Sequence, residues 1–145
     1  MHAQSDTLAQ HSVLRQGVAR FSATTLAAVA AAGVLATVDP NRPGHYPTCP
    51  FLWATGYYCP GCGSLRACHD LLHGDPAGAL ARNPLALVLL PAVVAAWVLW
   101  GLRLAGVTTW SPTRIGARWI WGLLVVVLGY WAARNVPGWT WLSPA

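Results

Sequence analysis

Three apolar runs separate the polar parts of this chain. The first extends from about Val18 to Val38. The second runs from Asn83 to Leu102, with no charge between Arg82 and Arg103. The third covers about Ile115 to Ala133, with fifteen residues between Arg118 and Arg134. A helix rises 1.5 Å per residue, so about 20 apolar residues cross the ~30 Å hydrocarbon core of a bilayer. The pattern predicts an all-α membrane protein with three transmembrane helices, at about 18–38, 83–105 and 115–134. The first run is rich in Ala27, Ala28, Ala30, Ala31, Ala32 and Gly33, small residues that let helices approach closely in lipid. Pro91 is a candidate kink in the second. The third is short, so Arg118 is expected to snorkel. Residues 1–17 are polar and mixed. Their length argues against a signal peptide, which has a short basic lead. They read as a polar N-terminal tail ahead of a single membrane domain, residues 18–145.

The polar island at 39–82 is expected to hold a Cys-rich loop and short helices. Asp39-Pro40-Asn41-Arg42-Pro43-Gly44 stops the first helix, because Pro and Gly cannot continue it and Asp and Asn favour turns. From Ser64 to His73, Leu65, Cys68, Leu71 and Leu72 recur at helical spacing, while Arg66, Asp70 and His73 fall on another face. This predicts a short interfacial helix with Ser64 as its N-cap and Gly74 just past its end. Asp75-Pro76 reads as the cap and first position of a further helix to Arg82.

Composition supports this class. The chain is 55% hydrophobic and 9% charged, against about 25% charged in soluble domains. A net charge of +5 raises the question of nucleic acid, but the arginines flank apolar runs as bilayer anchors do. The lipid bilayer is therefore the expected partner, with no nucleic acid. All nine basic residues are Arg, a usage that suggests a GC-rich bacterial source. Trp97, Trp100, Trp110, Trp119, Trp121 and Trp131 lie in or beside the last two runs, and interfaces favour such rings. With the N-terminus in the cytoplasm, the inside segments carry five arginines and the outside segments four. This margin favours a multi-pass cell-membrane protein with the Cys-rich loop outside.

The island also carries an ordered set of motifs: Cys49-Pro50, Thr55-Gly56, Cys59-Pro60-Gly61-Cys62-Gly63, Arg66-Ala67, Leu71-Leu72-His73-Gly74-Asp75 and Asn83-Pro84-Leu85. Over about residues 49–91 this set resembles an uncharacterised bacterial membrane-protein family, domain of unknown function 2752. Leu65 departs from the pattern, since many members carry Thr there. The resemblance implies a membrane setting and no established activity. It singles out Arg66, Gly74, Asp75, Asn83 and Pro84 as motif residues beside the cysteines.

The cysteines leave three readings open. Cys-Pro-x-Cys-Gly is a turn used by tetrahedral zinc sites. Cys59 and Cys62 would supply two thiolates and Cys49 a third, with His45, Cys68 or His69 as the fourth ligand. A disulfide suits an oxidising compartment, and a reactive thiol near a helix N-terminus is a variant of it. The third reading is a set of small buried thiols that pack a tight loop. Gly63 after Cys62 excludes a c-type haem site, which needs His there. His69 and His73 read as solvated interfacial side chains. Arg66 reads either as an i,i+4 partner of Asp70 or as a ligand of loop carbonyls or a lipid phosphate. No paired carboxylates, phosphate loop or nucleophile–base–acid set is present. The expected function is a non-enzymatic accessory or partner-binding subunit of an envelope complex, with a membrane-protein partner. The alternative is a membrane thiol-disulfide or metal-dependent enzyme.

Overall fold

The computed structural model describes residues 2–42, 44–107, 116–139 and Leu142, with side chains from Ser12 onward. The expected anchors Trp110 and Arg114, the expected helix start at Ile115, Pro112 and Trp141 lie outside the described residues. Those described form six helices and no strand: α1 (His2–Thr37), α2 (Pro50–Thr55), α3 (Ser64–Leu72), α4 (Pro76–Arg82), α5 (Pro84–Leu104) and α6 (Ala117–Arg134).

Two of these, not three, are long and apolar enough to cross a membrane: Ser12–Thr37 within α1, and α5. Their apolar surfaces are exposed, as at Leu26, Val29, Val88 and Val93. This suits membrane association, where lipid covers such surfaces at no cost. The third expected span is corrected. The 18 residues of α6 begin next to Arg118 and end at Arg134, so its uncharged stretch measures only about 22 Å. Arg134 does not anchor at a lipid interface either; it is 1% exposed, turned into protein. The first helix also starts earlier than the hydropathy pattern suggests. Backbone from His2 is already helical, because nothing between residues 2 and 17 breaks a helix except Gly17, and tertiary packing accommodates that residue.

α1 and α5 pack through glycine. A Cβ on Gly17 would stand 2.8 Å from Leu104, and one on Gly101 would stand 2.8 Å from Phe21. Phe21 fills the groove over Gly101, stacking on Trp97 at 5.0 Å and meeting Trp100 edge-on at 5.3 Å. The two tryptophans thus pack between helices, with attraction beyond their buried area.

Between these two long helices, α2 to α4 form a small platform. Ala67 in α3 and Ala79 in α4 are fully buried, and their small side chains let the two helices lie close together. α3 also rests against α1 and α5, and α4 against α5. Asp75 caps α4 by accepting from the Gly78 amide at 2.8 Å. Gly74 adopts φ 77°, the left-handed turn that ends α3. Ser64 is not the cap of α3. Gly63 holds that position at φ 82° with no side-chain bond to the helix, and the Ser64 hydroxyl is taken by Asn83 at 3.0 Å. α2 was not apparent from periodicity because it has only one and a half turns; its signals are Pro50 at the start and left-handed Gly56 at the end.

Candidate metal centre

The Cys59-Pro60-Gly61-Cys62 turn folds back on itself, and the Cys59 amide donates to the Cys62 sulfur at 3.2 Å. Cys49, at the start of α2, closes over this turn. The ligand atoms of Cys49, Cys59 and Cys62 all lie within 4.8 Å of one another. Cys59 Sγ is 2.9 Å from Cys62 Sγ and 3.5 Å from Cys49 Sγ. All four cysteines of the chain carry free thiols. Two thiolates on one tetrahedral zinc, at Zn–S of about 2.3 Å, sit about 3.8 Å apart. Small outward shifts of the sulfurs would therefore admit an ion.

The three thiols are electrostatically unlike. Amides at the start of α2, Leu52 first, favour the Cys49 thiolate and lower its pKa despite partial burial. Burial, followed by the Cys59 thiol beside it, pushes Cys62 up to about 12. The cluster thus joins one thiol whose ionisation its surroundings favour to one whose ionisation burial opposes.

The turn is held by a buried polar lattice that the sequence motifs did not disclose. Asn83 is fully buried. Its side-chain NH2 donates to the Pro60 carbonyl at 3.0 Å, the Cys62 carbonyl at 3.2 Å and the Ser64 hydroxyl at 3.0 Å. Its oxygen accepts from the Ala86 amide at 3.0 Å, capping α5, and from the Tyr130 hydroxyl at 3.1 Å. Pro84 opens α5 directly after it. Arg134 reaches in from the end of α6, donating to the Pro60 carbonyl at 3.5 Å and the Arg82 carbonyl at 3.2 Å. Its guanidinium lies over the rings of Tyr58 and Tyr130. The neighbouring Asn135 brackets Tyr58, accepting from its amide at 2.8 Å and donating to its carbonyl at 2.9 Å. The signals for Arg134 and Asn135 were weak: an Arg–Asn pair closing an apolar run reads equally well as a helix end at the bilayer surface.

The candidates for a fourth ligand are not brought to the thiols. His45 donates through Nδ1 to the Asp39 carbonyl at 2.8 Å. His69 donates through Nδ1 to the Leu35 carbonyl at 2.6 Å, and its Nε2 faces Asp39 at 3.6 Å. The two ring nitrogens of His69 thus face the Leu35 carbonyl and the Asp39 carboxylate, not the thiols. Its side chain is 13% exposed, which corrects the expectation of a solvated histidine; it ties α3 to the end of α1. His73 is exposed and lies tilted beside it, with ring centroids 4.2 Å apart. Cys68 sits on α3 outside the cluster, and burial raises its pKa. Arg66 does not pair with Asp70. It donates to the Pro40 carbonyl at 3.3 Å, while Asp70 faces Arg82 at 3.7 Å and accepts from Asn41 at 3.4 Å.

Beside the thiols opens a cleft of about 650 Å³. Cys49 and Cys62 form part of its wall, with Arg42, Arg66, Tyr46 and Tyr58. It is large enough for a small molecule.

Residues 49–97 match a family described as a protein of unknown function, DUF2752, the family that the motifs resemble. The matched segment contains all four cysteines, the platform and the first part of α5. No curated protein and no solved structure matches the chain.

Proposed function

We propose that this protein is a membrane-anchored metal-binding platform in which Cys49, Cys59 and Cys62 hold a zinc ion. The platform serves as a docking point for a membrane-protein partner in a bacterial envelope complex. The observation that carries the reading is the convergence of three thiols, from two segments ten residues apart, on one point within 4.8 Å. Soft thiolates select zinc over hard cations. The lattice around Asn83 fixes the turn in advance, so little ordering cost falls on the metal. In this reading α1 and α5 anchor the chain, the N-terminus is cytoplasmic and the platform stands outside. The partner packs against the apolar helix surfaces that remain uncovered.

The test is metal content and free-thiol count on protein purified in detergent without chelator. One zinc per chain, with three thiols masked until the metal is removed, is the expected result. No metal and two thiols recovered only after reduction would replace the metal with a disulfide. Affinity purification of the tagged protein after membrane solubilisation tests the docking role; the chain emerging alone from every mild detergent would sink it.

A further inference from the structure

Three protein thiolates leave one position of a tetrahedral ion unfilled. Zinc sites with three protein ligands are those that accept an exogenous fourth. Two features fix the character of that fourth ligand. The first is access. Cys49 and Cys62 line the cleft, so an ion held between the thiols faces a space of about 650 Å³. No His, Cys, Asp or Glu among the described residues completes the set.

The second is charge. Zinc with three thiolates carries 2 − 3 = −1. A further thiolate brings it to −2, a charge that neighbouring cations stabilise. The cleft wall supplies two cations, Arg42 and Arg66, and no carboxylate. Arg66 is fixed by its Nε bond to the Pro40 carbonyl. Arg42 is 74% exposed and faces Asp39 at 3.8 Å, an exposed pair weak enough for the guanidinium to turn to the cleft. The sum over ion, four thiolates and two arginines is zero. A hard oxyanion finds less reason to bind here, because a tris-thiolate zinc has lost the positive charge that attracts it and prefers soft donors.

We infer that the cleft binds a small thiol, which becomes the fourth ligand of the metal and is stabilised as thiolate by Arg42 and Arg66. This rests on the metal reading above. In the binding step the thiol S–H bond breaks and a metal–sulfur bond forms. Any solvent on the fourth position of the bound ion is displaced, and the proton passes to solvent. No electron is transferred. The product is an activated thiolate in a cleft open to a second molecule.

The experiment uses full-length protein in detergent, kept reduced with a phosphine and loaded with one equivalent of Co²⁺. The Co²⁺–thiolate charge-transfer absorbance reads the number of sulfurs on the ion. Titration with 2-mercaptoethanol should raise it saturably by about one third, as three sulfurs become four. Inorganic phosphate should leave it unchanged. Arg42→Gln, which touches no buried bond, should weaken thiol binding several-fold with Co²⁺ loading preserved, and Arg66→Gln should weaken it further. An intensity that does not rise with thiol, or one already that of four sulfurs before any is added, overturns the inference and leaves the metal reading standing. Failure of the wild-type protein to take up Co²⁺ overturns both.

Discussion

The side-chain amide of Asn83 donates to the carbonyl of Cys62 at 3.2 Å, from a position fully closed to solvent. One side chain therefore caps α5 and clamps the cysteine turn. A Cys-x-x-Cys turn in a loop is ordinarily floppy; here it is fastened to the first turn of an apolar helix.

Replacing Asn83 by Ala strands the Pro60, Cys62 and Ser64 groups and the Tyr130 hydroxyl in the interior. A buried polar group left without a partner costs about 1–3 kcal/mol, and some of these keep other partners. Asn83→Ala is expected to lower stability by about 3 kcal/mol, seen as an earlier thermal transition in detergent, and to weaken metal retention in parallel. Tyr130→Phe, which removes one of the five bonds, should cost about 1 kcal/mol.

Arg134 is buried among two carbonyls and two tyrosine rings, and no carboxylate among the described residues pairs with it. Its planar fork reaches Pro60 and Arg82 together, which a lysine ammonium cannot do. Arg134→Lys should destabilise by about 1–3 kcal/mol, and Arg134→Met at least as much. Chemical unfolding followed by tryptophan fluorescence would report both, since Trp131 lies one turn away and packs on Phe51 at 5.8 Å.

Gly101 and Phe21 set the separation of α1 and α5. A methyl on Gly101 would meet the ring of Phe21 at 2.8 Å. Gly101→Ala should destabilise the helix pair by about 1–3 kcal/mol, as overpacking does. In Phe21→Ala the same substitution should be nearly harmless. A double-mutant cycle in detergent measures the coupling; additive effects would contradict the packing described.

The cluster and the remaining cysteine separate by substitution. Cys62→Ala is expected to abolish stoichiometric zinc, whereas Cys68→Ala, outside the cluster, should leave zinc content unchanged. Elemental analysis of the two purified variants decides it.

The pH dependence follows from Cys62. Its thiol is pushed up to about 12 from 9.0 by burial, so the metal-free fold keeps this proton where the unfolded chain has lost it. The folded form binds more protons between those values, and its stability falls as pH rises from about 9 toward 12. Metal reverses the sign, because it binds the deprotonated site. Affinity should weaken by at least about tenfold per pH unit on acidification through the neutral range. Competition with a chromophoric chelator at several pH values would measure this slope, and a flat profile would exclude thiolate ligation.

The sequence alone determined the elements whose cause is local. The uncharged stretch from Asn83 to Leu102 makes a helix long and apolar enough to cross a membrane whatever surrounds it, since length and hydropathy are properties of the segment. Asp75-Pro76 and Gly74 punctuate helices through their own backbone preferences, and both act as expected. The spacing of Cys59 and Cys62 likewise makes a turn that brings two thiols together. Tertiary structure decided the rest. Cys49 joins the cluster while His45, His69 and Cys68 do not: His45 is claimed by the nearby Asp39 carbonyl, His69 by the Leu35 carbonyl 34 residues away, and Cys68 lies on α3 outside the group. Arg134 looked like an anchor at the end of a third span; burial beside Pro60 and Arg82 turned it into a clamp. Asn83 stood out only as part of a motif, and its five bonds exist only once three separate segments meet around it. Partner choice among polar groups depends on which segments the apolar helices bring together, and pattern within one segment carries no record of that.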